Sequence, residues 1–463
     1  MLKSLDICGL RGFAEQQTIE FAIPTGEVGS GLTIIVGANN SGKSTAIEAL
    51  RALTQDPPPS FTQGRRNQKA GDQVKLGLFD DNGGVVTLES QFAGTSETSR
   101  MPIDSLVGRR EGELFVLPSR RVFSPYFGRG ASSRNDYSAH TGFPVLRSAT
   151  IDQFTSRLFT IQNNRADFDA VMQKILDPAP DWSIDQTDTG QYYLKVKRGD
   201  TFHSSEGLGE GLVSLIYIID ALYDSKPGQM IAIDEPELSL HPALQRKLAA
   251  LLAEYAKDRQ IVCSTHSPYF VNVGALLNDA NITRIHLVHG DSTVSKLSDV
   301  TGKAVAKLLN DANNPHVLGL NAQEAFFLDD QIVLVEGQED VVFFARVQKS
   351  VGVNLRGEFF GWGVGGAEKM KLICQLLQEL GFKRVVGVLD GNKVALVNKL
   401  QLDFPNFHFF AIPADDVRNK PKAKSRPAVE GLLKPGNVNV RDEYKEKMAR
   451  LFGAANGYLL RPL

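Results

Sequence analysis

The stretch GANNSGKST, residues 37–45, constrains this chain more than any other. It follows LTIIV (32–36), a β-branched run ending in glycine that reads as a buried strand. It precedes Ser44 to Leu53, which reads as a helix. G-x-x-x-x-G-K-[ST] in that setting is a phosphate-binding loop. Gly37 and Gly42 let backbone N–H groups turn toward phosphate oxygens, and the helix start adds the positive end of its dipole. Lys43 is placed to reach the β- and γ-phosphates and Ser44 to ligate Mg²⁺, with Asn40 and Thr45 completing the loop. The ligands expected are ATP and Mg²⁺.

A second apolar strand, MIAID (230–234), ends in Asp234-Glu235-Pro236. An aspartate there holds the Mg²⁺ shell, and the following glutamate polarises an attacking water. The run IVCST (261–265) ends in His266, within reach of a γ-phosphate; the bland reading of a lone histidine is structural. Strands alternating with helices at 44–53, 206–224 and 242–257 predict a parallel α/β sheet. Residues 54–74 and 128–142 read as loops, 75–79, 85–91 and 114–117 as strands, and 150–176 as helical. A hairpin is expected around Thr189-Gly190.

At 463 residues the chain holds two or three domains. Cys8, Cys263 and Cys374 lie far apart, which argues against disulfides or a zinc site and fits a reducing, cytoplasmic setting. The N-terminus lacks the long apolar core of a signal peptide, and no run of about 20 apolar residues predicts a membrane span. Net charge is −2, but residues 331–463 carry 20 Lys and Arg against 14 Asp and Glu. A basic C-terminal part on an acidic remainder points to a polyanionic partner, or to a solvated face.

DEPELSLHP (234–242) and STHSP (264–268) resemble the Walker B, D-loop and switch-histidine motifs of ABC-type ATPases of the RecF and SMC kind. SSEGLGEGL (204–212) resembles their signature motif, departing from the transporter form LSGGQ. The resemblance implies that this segment closes on ATP held by another subunit, through Ser205, Gly207, Gly209 and Gly211. A homo-oligomer, at least a dimer, follows. LPSRR (117–121) looks like a short motif of the same branch, in which Arg120 or Arg121 touches phosphate or is a surface arginine.

A second α/β unit begins at QIVLVEG (331–337). LVEGQED (334–340) sets Glu336 at a strand end and Asp340 one helical turn on, and VVGVLDGNK (385–393) sets Asp390 at another strand end. Strand C-termini share one edge of a parallel sheet, so these carboxylates can converge on a divalent metal, joined by Asp415 or Asp416. This half resembles a Toprim domain. The junction at 321–340 and the ABC-then-Toprim order resemble the overcoming-lysogenization-defect (OLD) nucleases, whose relatives include the nuclease of the Gabija antiphage system. The resemblance implies an ABC-type ATPase domain over 1–320, with inserted segments at about 54–200, and a Toprim-like domain over 321–463. It also implies ATP-controlled, Mg²⁺- or Mn²⁺-dependent cleavage of nucleic acid, DNA ahead of RNA, in phage defence, with room for a second defence protein as partner. One departure is Asn392, where the family pattern D-x-D has a carboxylate; an asparagine ligand brings no negative charge. The rival reading is a nucleic-acid-sensing ATPase whose inactive Toprim domain regulates a partner effector. Arg418, Lys420, Lys422, Lys424 and Arg426 form a basic run that grips phosphate backbone or is solvated.

Overall fold

The computed structural model describes the chain apart from residues 56, 82–84, 102–113, 122, 125, 134–136, 138–152, 177–178, 199, 205–207, 311–327, 329, 421, 423–427 and 462–463. The chain divides into two compact units, Met1–Lys296 and Leu297–Leu463. The boundary expected at 320/321 lies outside the described residues, as does most of the helical stretch expected at 322–328. Among the described residues no helix is long and apolar enough to cross a membrane.

The first unit is built on a six-stranded sheet of β3 (Leu32–Val36), β7 (Leu114–Leu117), β11 (Met230–Asp234), β12 (Gln260–Ser264), β13 (Asn281–Val288) and β14 (Asp291–Lys296). Their order is β14-β13-β3-β12-β11-β7. All pairings are parallel except β13 with β14. Every residue of β3, β11 and β12 is buried, which is why their sequences are continuous apolar runs rather than alternating ones. Because these three strands are neighbours and parallel, Val36, Asp234 and Ser264 finish on one edge. The antiparallel hairpin of β13 and β14 was not anticipated from the sequence.

A second, antiparallel sheet runs in the order β2 (Gln17–Glu20), β1 (Leu2–Cys8), β4 (Lys75–Asp80), β5 (Val85–Ser90), β6 (Thr98–Met101). Helix α1 (Lys43–Thr54) shares one core with both sheets. Its Ile47, Leu50 and Leu53 cluster with Leu5, Leu76 and Leu88 on one side and Ile35, Ala232 and Val262 on the other. Ten residues of α1 are buried, and six of them, Ala46, Ile47, Ala49, Leu50, Ala52 and Leu53, form an apolar face broader than a single stripe. Leu50→Ala there would cost about 2–5 kcal/mol. The helical spacing over 150–176 becomes two helices, α2 (Gln153–Asn163) and α3 (Arg165–Gln173), because Asn164 leaves the helical region at φ −126°. The expected hairpin forms from β8 (Asp181–Gln186) and β9 (Tyr192–Arg198) and is extended by β10 (Thr201–Ser204). Helices α4 (Glu210–Tyr223) and α5 (Pro242–Tyr255) complete the unit. A His241 ring nitrogen caps α5 by accepting from Ala243 N at 3.2 Å.

The second unit has a four-stranded, wholly parallel sheet in the order β16 (Glu358–Phe359), β15 (Gln331–Leu334), β17 (Arg384–Leu389), β18 (His408–Ala411). Its helices are α6 (Asp299–Asn310), α7 (Gln338–Val351), α8 (Met370–Glu379), α9 (Val394–Asp403) and α10 (Asp442–Leu459). Strands and helices alternate as the sequence predicts, up to α10, which the sequence reading passed over. Met448, Phe452, Ala455 and Leu459 of α10 recur at helical spacing and cluster with Phe344 and Val347 of α7.

Candidate functional site

The loop after β3 is shaped by left-handed backbone. Gly37 has φ +150°, Asn40 φ +62° and Gly42 φ +115°. A Cβ on Gly37 would sit 2.0 Å from the Ile285 carbonyl oxygen, and one on Gly42 would meet Ser292 Oγ and the Phe13 ring. Only glycine satisfies both demands at these two positions. Helix α1 then begins at Lys43 with no side chain capping its first N–H groups, so the donors of its first turn are left for a ligand.

Lys43 Nζ donates to the carbonyl oxygens of Gly37 and Ala38, both at 2.9 Å. Burial pulls the ammonium down to about 8, against the opposing pull of Glu235, Asp234 and Glu237. Asp234, at the end of β11, accepts from the hydroxyls of Ser264 and Ser44. Burial nevertheless raises its pKa. Glu235 stands in the left-handed region at φ +47°, its N–H donating to Ser264 O at 2.9 Å. Its Oε1 lies 3.8 Å from His266 Nε2. The His266 pKa is lowered by burial and then by Lys43, which keeps the ring neutral at ordinary pH. These groups surround a cavity of about 500 Å³ lined by Asn39, Asn40, Lys43, Ser44, Glu235 and His266, with Arg11 and Ser292 on its wall.

The arrangement fits a nucleoside triphosphate with a divalent cation. The Ser44 hydroxyl and the Asp234 carboxylate, the two expected cation ligands, already touch. Ser41 Oγ and Ser292 Oγ are buried without a hydrogen-bond partner beside the loop. Of the signature stretch, Ser205 and Gly207 lie outside the described residues. Gly209 precedes α4 with open space around it. Gly211 is pressed onto the chain's own D-loop segment, where a Cβ would come within 2.3 Å of Ser239 O.

Two residues of this site escaped the sequence reading, and a third, Arg121, takes a different role from the one expected. Arg11, in a left-handed turn at φ +50°, lines the cavity and pairs with Glu48 at 2.8 Å. Glu237, a largely buried carboxylate, accepts from His266 N at 2.6 Å and Thr265 Oγ1 at 2.8 Å, and so fixes the histidine's backbone. Arg121 is 2% exposed and, among the described residues, donates to one hydroxyl and three backbone carbonyls. They are Ser214 Oγ (2.8 Å) and the carbonyl oxygens of Pro118 (2.7 Å), Asp234 (2.8 Å) and Glu235 (3.0 Å). The reading of LPSRR as a phosphate contact is therefore corrected for Arg121. Burial lowers its pKa to about 10, which leaves it a cation. Arg120, half exposed, stands 3.8 Å from Glu210. Spacing gave no signal for these roles, because a buried arginine and a surface arginine look alike in a single sequence.

In the second unit, the carboxylates collect at the C-terminal edge of the parallel sheet. Glu336 follows β15 and accepts from Asp390 N at 3.1 Å, which joins the ends of two strands. Asp340, in the first turn of α7, accepts from Gly337 N at 2.8 Å. The glycine turn at 363–366 is tied back by Val364 N to Val335 O and Gly366 N to Glu336 O. Burial raises Asp340 to about 6, despite the Gly337 hydrogen bond, with Glu336 and Asp416 adding to the rise. Asp390 reaches about 8, through burial and then Asp340, Glu336 and Asp416.

Of the two aspartates after β18, Asp416 is the one in this field and is buried; Asp415 is exposed. Lys420 pairs with Asp416, and Arg418 pairs with Glu339 at 2.7 Å. Lys424 and Arg426 lie outside the described residues. Asn392 Nδ2 donates to the backbone carbonyl of Asp415 at 2.9 Å, which binds its amide to the neighbouring loop. Oxygen donors of this kind suit Mg²⁺ or Mn²⁺. Among the described residues, however, no group of three or more His, Cys, Asp or Glu side chains is arranged to hold a metal ion. The carboxylates share a field rather than a finished cage.

A phosphate loop on a parallel sheet, an acidic strand end beside it and a neutral histidine on the next strand define the first unit as a P-loop ATPase domain. Two family models match it: one described as "AAA domain, putative AbiEii toxin, Type IV TA system" over residues 113–272, and one described as "AAA domain" over 4–177. The chain is similar to the Septu protein PtuA of Bacillus thuringiensis, 25% identical, with 53% of this chain and 68% of that one covered. It is similar to the endonuclease GajA of Bacillus cereus, 27% identical (42% and 32%), and to the OLD nuclease of Thermus scotoductus, 29% identical (40% and 36%). The similarity to these nucleases is partial: the match spans only about a third of the length of GajA and of the OLD nuclease. A solved SMC head domain from Thermotoga maritima matches at 19% identity and a TM-score of 0.38, over 64% of this chain and 99% of that one.

Proposed function

We propose that this chain is an ATP-regulated, divalent-metal-dependent nucleic-acid endonuclease of OLD type that acts in bacterial antiphage defence in the cytoplasm. ATP and Mg²⁺ bind at Lys43, Ser44, Thr45 and Asp234. Glu235 polarises the attacking water, and His266 orients the γ-phosphate. Engagement of two copies through residues 204–212 governs turnover.

The observation that carries the nuclease reading is the field shared by Glu336, Asp340, Asp390 and Asp416. Asp390 is held protonated to about 8 by burial and by its carboxylate neighbours. Mutually repelling carboxylates at a parallel sheet edge, with Lys420 beside them, fit a site completed by a hard cation. A cation there would stabilise the attacking and leaving oxygens of a phosphodiester. The chain's own residues supply the negative charge that would hold it, and Lys420 and Arg418, paired with Asp416 and Glu339 beside it, are the cations offered to the substrate's phosphates. DNA is the expected substrate ahead of RNA. The test is incubation of the pure protein with supercoiled plasmid and with RNA, in Mg²⁺ or Mn²⁺, with and without ATP. Nicking that Glu336→Ala removes, with ATP hydrolysis intact, supports the reading.

A second reading is favoured by one observation. Asn392 brings no charge, and its amide is engaged with Asp415 O. On that reading the chain is a nucleic-acid-sensing ATPase whose second unit binds but does not cut, and a partner protein is the effector. Absence of cleavage by both wild type and Asn392→Asp, in either metal and with any nucleotide, would select it.

A further inference from the structure

We propose that Arg121 is a positioning residue that ties the signature helix to the water-polarising glutamate, so that a displacement at the start of α4 reaches the hydrolytic site through one guanidinium. The inference rests on the assignment of Glu235 as that glutamate, and it deepens the account of how nucleotide turnover is governed.

The geometry is that of a fork with its prongs in different elements. Arg121 Nε donates to Ser214 Oγ on α4, one turn in from the signature segment. Its two terminal nitrogens donate to the main-chain oxygens of Asp234 and Glu235, at the end of β11, and to Pro118, in its own loop. A planar guanidinium with five donors can make such bonds at once; an ammonium cannot span them. Among the described residues, no carboxylate is hydrogen-bonded to it. A buried arginine used only for charge would pair with an acid, whereas this one is spent on backbone carbonyls.

What those carbonyls belong to gives the arrangement its function. Glu235 lies in the left-handed region, which a non-glycine residue keeps only where its surroundings impose it. Its N–H is held by Ser264 O and its carbonyl by Arg121, so the peptide planes flanking its Cα are fixed from opposite sides. The carboxylate direction, and with it the water's, follows from those two bonds.

The start of α4 also bears on the D-loop, through Gly211 against Ser239 O and Glu210 accepting from Ser239 Oγ at 3.2 Å. The far end of α4 is anchored. Arg157 is buried, donates to Asp220 at 2.9 Å and to Tyr223 Oη at 3.1 Å, and pairs with Asp224. With that end pinned, force on the signature segment acts at the Ser214 end, where Arg121 is attached.

The test separates nucleotide binding from turnover in the full-length protein. Arg121→Lys should lower kcat for ATP hydrolysis tenfold or more while the dissociation constant for a fluorescent ATP analogue changes less than threefold. Ser214→Ala, which cuts one prong only, should lower kcat by roughly threefold with affinity unchanged. Glu235→Gln is the control: if it hydrolyses ATP normally, the glutamate was assigned wrongly. If it is inactive while folded Arg121→Lys and Ser214→Ala both keep wild-type kcat, this proposal alone is overturned. Loss of affinity in step with kcat in Ser214→Ala would also overturn it, since a merely structural tie moves both. Should Arg121→Lys fail to fold, Ser214→Ala decides alone.

Discussion

The two acidic sites differ in how their charge is balanced. In the first unit Asp234, Glu235 and Glu237 surround Lys43, and Asp234 and Glu237 take hydrogen bonds from hydroxyls or backbone. In the second, Glu336, Asp340, Asp390 and Asp416 face one another, with Lys420 as the cation beside them. A balanced site is preformed and waits for a ligand of matching shape. Carboxylates that face one another are held protonated by burial and mutual repulsion, so the affinity of such a site for a cation depends on pH. The nucleotide loop should therefore respond to mutation as a machine with assigned parts, and the carboxylate cluster as a titrating field.

The largest effect is expected in the balanced site. Lys43→Ala should abolish nucleotide binding by a fluorescent-analogue titration. Glu235→Gln should bind with near wild-type affinity and lose roughly 10²–10³ in kcat. Wild-type turnover by Glu235→Gln would show that the site does not divide its labour in this way. In the same protein with ATP, light scattering should report at least a dimer; a monomer at every concentration, with normal hydrolysis by the equally monomeric wild type, would remove the trans role of 204–212.

Next comes the field. Glu336→Ala should end cleavage and spare ATP hydrolysis. Asn392→Asp should raise cleavage at low metal, with Mn²⁺ more effective than Mg²⁺ in the wild type. Equal metal demand in wild type and variant would mean that position 392 does not face the ion.

A smaller effect concerns stability. Asp340 and Asp390 have folded pKa values of about 6 and about 8, above the unfolded value of 3.8, so the folded state retains protons that the unfolded chain releases. Their contribution favours the fold at low pH and is withdrawn as pH rises from about 4 through about 8. A divalent cation bound at the proposed site would replace those protons. The rise in Tm on adding Mg²⁺ should thus be larger near about pH 8.5 than near about pH 5.5. An equal rise at both would argue that metal binds elsewhere.

The smallest is the response of Lys43. Its pKa of about 8 means the free site loses its positive charge as pH passes that value, so ATP affinity should weaken gradually above it. A flat profile by calorimetry between about pH 7 and 9 would contradict the lowered value.

What was legible from sequence follows the same divide. The loop at 37–45, the acidic end of β11 and His266 are local motifs whose chemistry depends on neighbours in the chain. Sequence order alone carried them, and it carried the alternation of strands and helices. Arg121, Glu237 and Asp416 act through partners far off in sequence, and nothing about an arginine in LPSRR says that it will be buried under a carbonyl more than a hundred positions away. Asp415 and Asp416 are adjacent and identical, so only the turn after β18 decides which joins the cluster. Helix α10 was legible in principle, since its apolar residues recur at helical spacing.

Glu235 also sets a trap for anyone seeking a hardier version of this protein. A left-handed backbone costs a non-glycine residue about 1–2 kcal/mol. Glycine adopts it freely, at an entropic disadvantage of about 0.5–1 kcal/mol. A random library sorted only for heat resistance should therefore retain Glu235→Gly among its survivors, and every such clone would have discarded the carboxylate proposed to polarise the attacking water. Sorting for turnover would keep the strained residue and reject the comfortable one, so the two selections should diverge at this one codon.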